Sequence, residues 1–280
     1  MKGKLALSLV VALLAATGLL GAPTVHAGDG DYNDETNPSV GAVGLGDYNG
    51  DGDYKDAGDL YYAVQSATGF YNYLYDNAGW DSNENFRRFD NAAWEKHLKR
   101  HDYDYGGWDI LYADDVDICW FQGHSASVWD GFGSYHHALS FIDTTHDDKY
   151  LQYWEAKWGD WDLEWMFIHS CKILSDENRG WWARARNGIH LICGAKTMMQ
   201  DRNDGGNVAD YLIDDGLFDW ARTVKWSWFH GCDIRQSSAV TLCVIGETHE
   251  CGDDYIWGQG PVCADPPRDS TYNVWTYYCV

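Results

Sequence analysis

Positive charge is scarce in this chain: 20 Lys and Arg stand against 43 Asp and Glu, a formal net charge of −23. So acidic a surface repels phosphate rather than collecting it, which argues against a nucleic-acid partner. Long apolar runs are lacking beyond residue 27, so nothing there spans a bilayer, which takes roughly 18 apolar residues or more. The signature spacings of metal and haem sites are missing too. No HExxH, CxxC or CxxCH occurs, so the sequence supplies neither a catalytic zinc motif nor a haem attachment site. His124, His136, His137 and His146 do not repair that lack, because the adjacent pair cannot readily serve one ion from a regular element. No repeat at a fixed period is apparent beyond a local Asp/Gly bias.

The one strongly apolar stretch is N-terminal. Lys2 and Lys4 precede an apolar Leu5–Leu20 segment, and Val25-His26-Ala27 puts small residues at the −3 and −1 positions of a cleavage site. Gly18, Gly21 and Pro23 break the segment as a membrane anchor. Residues 1–27 are therefore expected to be a secretory signal peptide. The mature chain would start at Gly28, secreted or at the cell surface, with no stable membrane span after cleavage. The segment holds two lysines and no acid, so its loss moves the charge from −23 to −25. The remaining chain fits one large domain, and its acidity serves solubility.

Eight cysteines outside the cytoplasm are expected largely to pair. Cys119, Cys171, Cys193 and Cys243 lie in or at the ends of apolar runs. Cys232, Cys251, Cys263 and Cys279 lie in polar or Gly/Pro-rich C-terminal stretches and are assigned to two disulfides of undetermined connectivity. A Cys193–Cys243 bridge is the alternative pairing within the first group.

Residues 28–58 are rich in Gly, Asp and Asn without apolar periodicity and read as an irregular arm ahead of a domain over 59–280. Within the arm, Asp47-Tyr48-Asn49-Gly50-Asp51-Gly52 matches the opening of a calcium loop, with oxygen ligands at positions 1, 3 and 5 and glycine at 6. The twelfth position, where a carboxylate is required, is Gly58, and Asp59 falls one residue late. The stretch reads as an acidic, turn-rich linker with structural calcium as its candidate ligand. Leu60, Val64, Ala67, Tyr71 and Leu74 recur at helical spacing, and Asn91–Arg100 reads as a second helix carrying Trp94 and Leu98. Apolar runs at Val116–Phe121, Leu163–Ile168, Ile189–Cys193 and Ala239–Ile245 suit parallel strands buried on both faces. Helical segments between them, such as Trp181–Arg186 and Val208–Val224, complete an α/β pattern. Sixteen tryptophans raise the question of sugar stacking, but Trp120 and Trp165 fall inside strands, and Trp154, Trp158 and Trp161 sit at helix spacing, so most read as core.

Two of the strands run into reactive side chains. Ile118-Cys119-Trp120-Phe121-Gln122-Gly123 leads to His124, and Leu163-Glu164-Trp165-Met166-Phe167-Ile168-His169-Ser170 leads to Cys171. Ligands of open α/β sheets bind beyond the carboxyl ends of strands, so an imidazole and a thiol would meet at one edge. A cysteine nucleophile needs a nearby base, and its leaving group needs a proton donor. His169 and His190 lie in apolar strand contexts and read as hydrogen-bonded core histidines.

This arrangement resembles the caspase-like (clan CD) cysteine peptidase superfamily, whose members carry one strand ending in His-Gly and another ending in Ala-Cys or Ser-Cys. The interval of 47 residues from His124 to Cys171 suits that pattern, where the His lies about 50 residues upstream. Further blocks look like an uncharacterised family of exported prokaryotic domains within it. They are Trp158-Gly159-Asp160-Trp161-Asp162-Leu163, Gly188-Ile189-His190-Leu191-Ile192-Cys193-Gly194, and Gly258-Gln259-Gly260-Pro261-Val262 followed by Asp265-Pro266. The resemblance implies a caspase-like α/β/α sandwich with a mainly parallel central sheet, acting on a peptide or protein substrate without a cofactor. Cys171 would attack the carbonyl, His124 would protonate the amine, and the N–H groups of Cys171 and Ser125 would hold the oxyanion. Ser125 departs from the family's glycine, and a requirement for positive φ there would distort the oxyanion hole. That departure supports the competing reading, a degenerate extracellular binding or surface module. Acidic residues such as Asp130 or Asp233 would favour a basic P1 residue.

Overall fold

The computed structural model describes residues 37–280 except 105, 132, 215–219 and 267–270. The expected signal peptide, residues 1–27, lies outside the described residues, as does the start of the arm. In chain order the elements are β1 (Val40–Gly44), α1 (Ala63–Tyr73), β2 (Phe86–Phe89), β3 (Ile118–Gln122), β4 (Ser125–Trp129), β5 (Tyr135–Ser140) and β6 (Tyr150–Leu151). There follow β7 (Trp165–His169), α2 (Arg179–Trp182), β8 (Leu191–Ala195), α3 (Gly205–Leu212), α4 (Val224–Asp233), β9 (Thr241–Gly246) and β10 (Asn273–Tyr278).

Seven strands form the main sheet in the order β10-β9-β8-β7-β3-β1-β2. Pairing is parallel from β2 through β8 and antiparallel at β8–β9 and β9–β10. Successive side chains of a strand face opposite ways, and here both ways lead into core. Ile118 and Trp120 of β3 join Phe167, Trp228 and α1, while Cys119 and Phe121 join Met166, Ile168 and Trp182. That is why the strands read as uninterrupted apolar runs. The fourth run, expected to be parallel, is β9 and runs antiparallel, because a short reversal after α4 returns it beside β8. Helices α1, α3 and α4 cover one face. The other is covered by α2, buried Trp158 and Trp182, and a small β4-β5-β6 sheet contributing Leu139 and Leu151. The architecture is the α/β sandwich with a mainly parallel sheet that the resemblance implies.

Two local readings change. The arm is not wholly irregular, since its residues Val40–Gly44 are β1, buried between β3 and β2. Its glycines are what hid it. A Cβ on Gly44 would lie 2.9 Å from the backbone of Ala63 and Val64, so α1 can rest on β1 only where side chains are missing. The expected helix at 91–100 is instead two 3-10 turns, Asp90–Ala92 and Glu95–His97. There the Trp94 N–H donates to His97 Nδ1, and Lys99 turns to Glu95, Asp147 and Glu155. Helix α1 does follow its apolar spacing, extends through a π turn over Leu74–Ala78, and ends at Gly79 with φ of 74°.

The Trp-Gly and Gly-Ile blocks serve close backbone packing. Gly159 (φ 86°) and Gly188 (φ 126°) lie against each other, and a Cβ on Gly159 would sit 2.0 Å from the Ile189 nitrogen.

Candidate active site

Strands β3 and β7 are adjacent and parallel, with Gln122 level with His169. Two residues further on, each chain delivers its reactive group, so His124 and Cys171 leave the same carboxyl edge and line one cleft of ≈ 130 Å³. The cleft therefore opens beyond the carboxyl ends of adjacent parallel strands, the side on which ligands bind in such sheets. Leu60, from the segment before α1, closes one side, and Met198 to Asp201, from the segment after β8, close the other.

The His124 ring is held by residues from the acidic arm. Its Nε2 lies 2.7 Å from the Gly58 carbonyl oxygen. A carbonyl only accepts, so Nε2 carries a proton, and the tautomer this contact selects is the one with its lone pair on Nδ1. Tyr48 packs its ring against the imidazole at 4.6 Å between centroids. Its hydroxyl accepts from the His124 N–H at 2.7 Å and donates to the Ser140 carbonyl at 3.0 Å. The Ser140 N–H meanwhile donates to the His124 carbonyl at 2.9 Å. The tyrosine hydroxyl is thus inserted into one rung of the β4–β5 ladder. Burial pushes its pKa up and keeps it protonated. Neither Tyr48 nor Gly58 was singled out for this site from sequence, because both lie in turn-rich chain 76 and 66 residues from their partner.

Cys171 sits at a sharp strand-to-turn junction, followed by Lys172 in the left-handed region at φ 57°. Its sulfur accepts from the Met199 N–H at 3.4 Å. Burial raises the thiol pKa, with that hydrogen bond and the Lys172 charge pulling weakly the other way. At rest the group is therefore a thiol. Ser125 is drawn in as well, since its Oγ donates to the Cys171 carbonyl at 2.5 Å and lies 3.2 Å from His137 Nδ1. Ser125 is not among the residues with positive φ, so its side chain brings no backbone strain where the resemblance expects glycine. The rung between His124 and Ser140 also turns the Ser125 N–H away from β5, since antiparallel rungs alternate.

Beneath the cleft, His169 is hydrogen-bonded to Asp204 at 3.0 Å, and Gln236 donates to the same carboxylate at 2.7 Å, as expected of a core histidine. The acidic residue lining the cleft is Asp201, whose pKa is raised by burial and which accepts from the Tyr62 N–H and Gln122. Asp130 and Asp233 do not line it. Asp130 closes the β4–β5 turn, and Asp233 holds Tyr277 and the Val280 N–H. In the 47–59 loop, Asp47 accepts from the N–H groups of Gly50, Asp51 and Gly52, and Asp51 and Asp53 accept from others of the loop.

All eight cysteines are free thiols, so the two expected C-terminal disulfides are absent from this structure. The Cys251 and Cys263 sulfurs are 3.0 Å apart, beyond the roughly 2.05 Å of a bond. A Cys193–Cys243 bridge is ruled out by geometry, since the two side chains enter opposite cores of the sheet.

A family model described as Domain of unknown function (DUF6345) matches residues 45–279. The chain belongs to that family. No curated protein matches it. Among solved structures, the DUF6345 chain is similar to a structural-genomics protein of Geobacter sulfurreducens, with 15% identity over 74% of this chain and 91% of that one and a TM-score of 0.45. It is also similar to a secreted C11 cysteine protease of Bacteroides thetaiotaomicron, solved with an irreversible peptide inhibitor. That match has 11% identity, covers 75% of this chain and 66% of the other, and has a TM-score of 0.36. No helix among the described residues is long and apolar enough to cross a membrane.

Proposed function

We propose that this DUF6345 protein is an exported cysteine peptidase, released from a signal peptide spanning residues 1–27, that cleaves peptide bonds with Cys171 and His124. The observation that carries the reading is the convergence of the two side chains on one cleft, with the imidazole oriented by the Gly58 carbonyl. With Nε2–H spent on that carbonyl, Nδ1 is the atom that takes the Cys171 proton as a substrate docks. The sulfur then adds to the substrate carbonyl carbon, and the C=O pair moves onto oxygen, which the N–H groups of Cys171 and Ser125 receive. The imidazolium returns its proton to the departing nitrogen as the C–N bond breaks. Water, deprotonated by His124, next cleaves the thioester and frees the thiol. Because the resting thiol is raised by burial, proton transfer accompanies attack rather than preceding it. The same burial favours a second reading, a peptide-binding module in which Cys171 is inert.

A thiol-directed peptide probe with mapping of the labelled residue separates the two. Six of the eight cysteines are buried, and only Cys171 and Cys263 are part-exposed. Catalysis requires selective labelling at Cys171, lost in Cys171→Ala and slowed at least about 100-fold in His124→Ala, the usual scale of acid–base catalysis. Equal labelling with and without His124 sinks the peptidase reading and leaves the binding module.

A further inference from the structure

At the opposite edge of the sheet, four side chains with metal-binding atoms converge in a place the cleft does not use. His190 enters just before β8. Cys251 and Asp254 follow β9 in a 3-10 turn and the residue after it, and Cys263 returns from the next loop. One ligand atom from each lies within 4.8 Å of all the others. Cys263 Sγ is 3.6 Å from His190 Nδ1 and 3.7 Å from Asp254 Oδ2. A tetrahedral zinc with bonds of about 2.3 Å to sulfur and about 2.0 Å to nitrogen or oxygen has sulfur-to-nitrogen or sulfur-to-oxygen edges of about 3.5 Å. Two edges of the cluster therefore already have the right length. Two further edges, 3.0 Å between the sulfurs and 2.7 Å from His190 Nδ1 to Asp254 Oδ2, are contracted hydrogen-bonding contacts that an ion would spread.

The surroundings are those of a ligand set. Asp254 gives its second oxygen to the Cys263 N–H at 2.8 Å, which aims the first at the cluster. Asp265 Oδ1 lies 3.5 Å from His190 Nε2, the place of the carboxylate that orients a metal-bound imidazole. Charge points the same way. Two carboxylates face a single imidazole, and His190, Cys251 and Asp254 are buried to within 1% of full. We propose that His190, Cys251, Asp254 and Cys263 form a closed structural site for a zinc-like divalent ion, pinning the segment after β9 to the start of β8. The set of two thiolates, one imidazole and one carboxylate, with no fourth position open, is of the structural rather than the catalytic kind.

The test uses the whole chain purified without added chelator, with zinc content measured by mass spectrometry and cobalt substitution followed by absorption. One zinc per chain is expected, with cobalt giving a thiolate charge-transfer band and the intense d–d bands of a tetrahedral site. Both should survive Cys171→Ala and disappear in Cys263→Ser. Asp254→Asn, which keeps the shape of the side chain, should weaken binding at least about tenfold, and it serves if the cysteine variant does not fold. A reduced chain that binds no cobalt, or a cobalt spectrum unchanged in both Cys263→Ser and Asp254→Asn, overturns the proposal. So does a non-reduced peptide map joining Cys251 to Cys263 in the chain as isolated, which would make the cluster a disulfide.

Discussion

Tyr48→Phe removes one oxygen atom and tests whether the arm holds the histidine. The ring stays, and with it the packing against His124. What goes is the hydroxyl that accepts from the His124 N–H at 2.7 Å and donates to the Ser140 carbonyl at 3.0 Å. Each buried group left without a partner costs about 1–3 kcal/mol, so the pair costs about 2–4 kcal/mol once partial relaxation is allowed. For a domain of this size each kcal/mol lowers Tm by about 2–4 °C, which puts the expected fall at about 5–15 °C. Thermal unfolding followed by near-ultraviolet circular dichroism measures it. The same variant should label Cys171 more slowly with the peptide probe, by about tenfold or more, because an imidazole displaced by a fraction of an ångström loses alignment. A Tm within about 1 °C of the parent with unchanged labelling refutes the reasoning. It would mean that the freed His124 N–H closes directly on the Ser140 carbonyl, completing the rung without the tyrosine.

Other outcomes follow from burial and backbone shape. Burial holds His97 at about 3, far below its ordinary 6.5, and its Nδ1 accepts from the Trp94 N–H at 3.0 Å. The unfolded chain therefore binds a proton below pH 6.5 that the folded chain refuses until about pH 3. This contribution is complete above pH 6.5 and is lost as pH falls, reaching about 2 kcal/mol at pH 5. Urea unfolding at pH 7 and pH 5 should show that much less acid sensitivity in His97→Gln than in the parent. Gly159→Ala should cost about 3 kcal/mol or more or prevent folding, since φ is 86° and the new carbon meets the Ile189 nitrogen at 2.0 Å. Gly206→Ala, in α3 with nothing within 4 Å, should be neutral or stabilise by up to about 1 kcal/mol in the same denaturation assay.

Much of the fold was legible because the central strands bury both faces, so local hydrophobicity alone marks them. Strands β3, β7, β8 and β9 lie within or one to two residues of the apolar runs. β1 escaped because its packing against α1 demands glycine, and glycine in an Asp-rich stretch reads as a loop. The segment at 91–100 misled for a related reason. Its charged and aromatic residues have helical spacing, but their partners are distant: Lys99 reaches Asp147 and Glu155, and His97 packs edge-on against Tyr112. The cysteines were sorted by the polarity of their neighbours. Yet Cys232, Cys251 and Cys279 are core residues, buried on a helix face, in a short turn and at a strand end.

By itself the sequence determined a mainly parallel α/β sheet and the delivery of His124 and Cys171 to strand ends, because both follow from the length and end point of apolar runs. Only the tertiary structure decided how those ends are equipped. Gly58 and Tyr48 reach His124 across 66 and 76 residues, and His190 meets Cys263 across 73. Such contacts join polar side chains or bare carbonyls in turn-rich chain, where no periodicity records which partner the fold will bring.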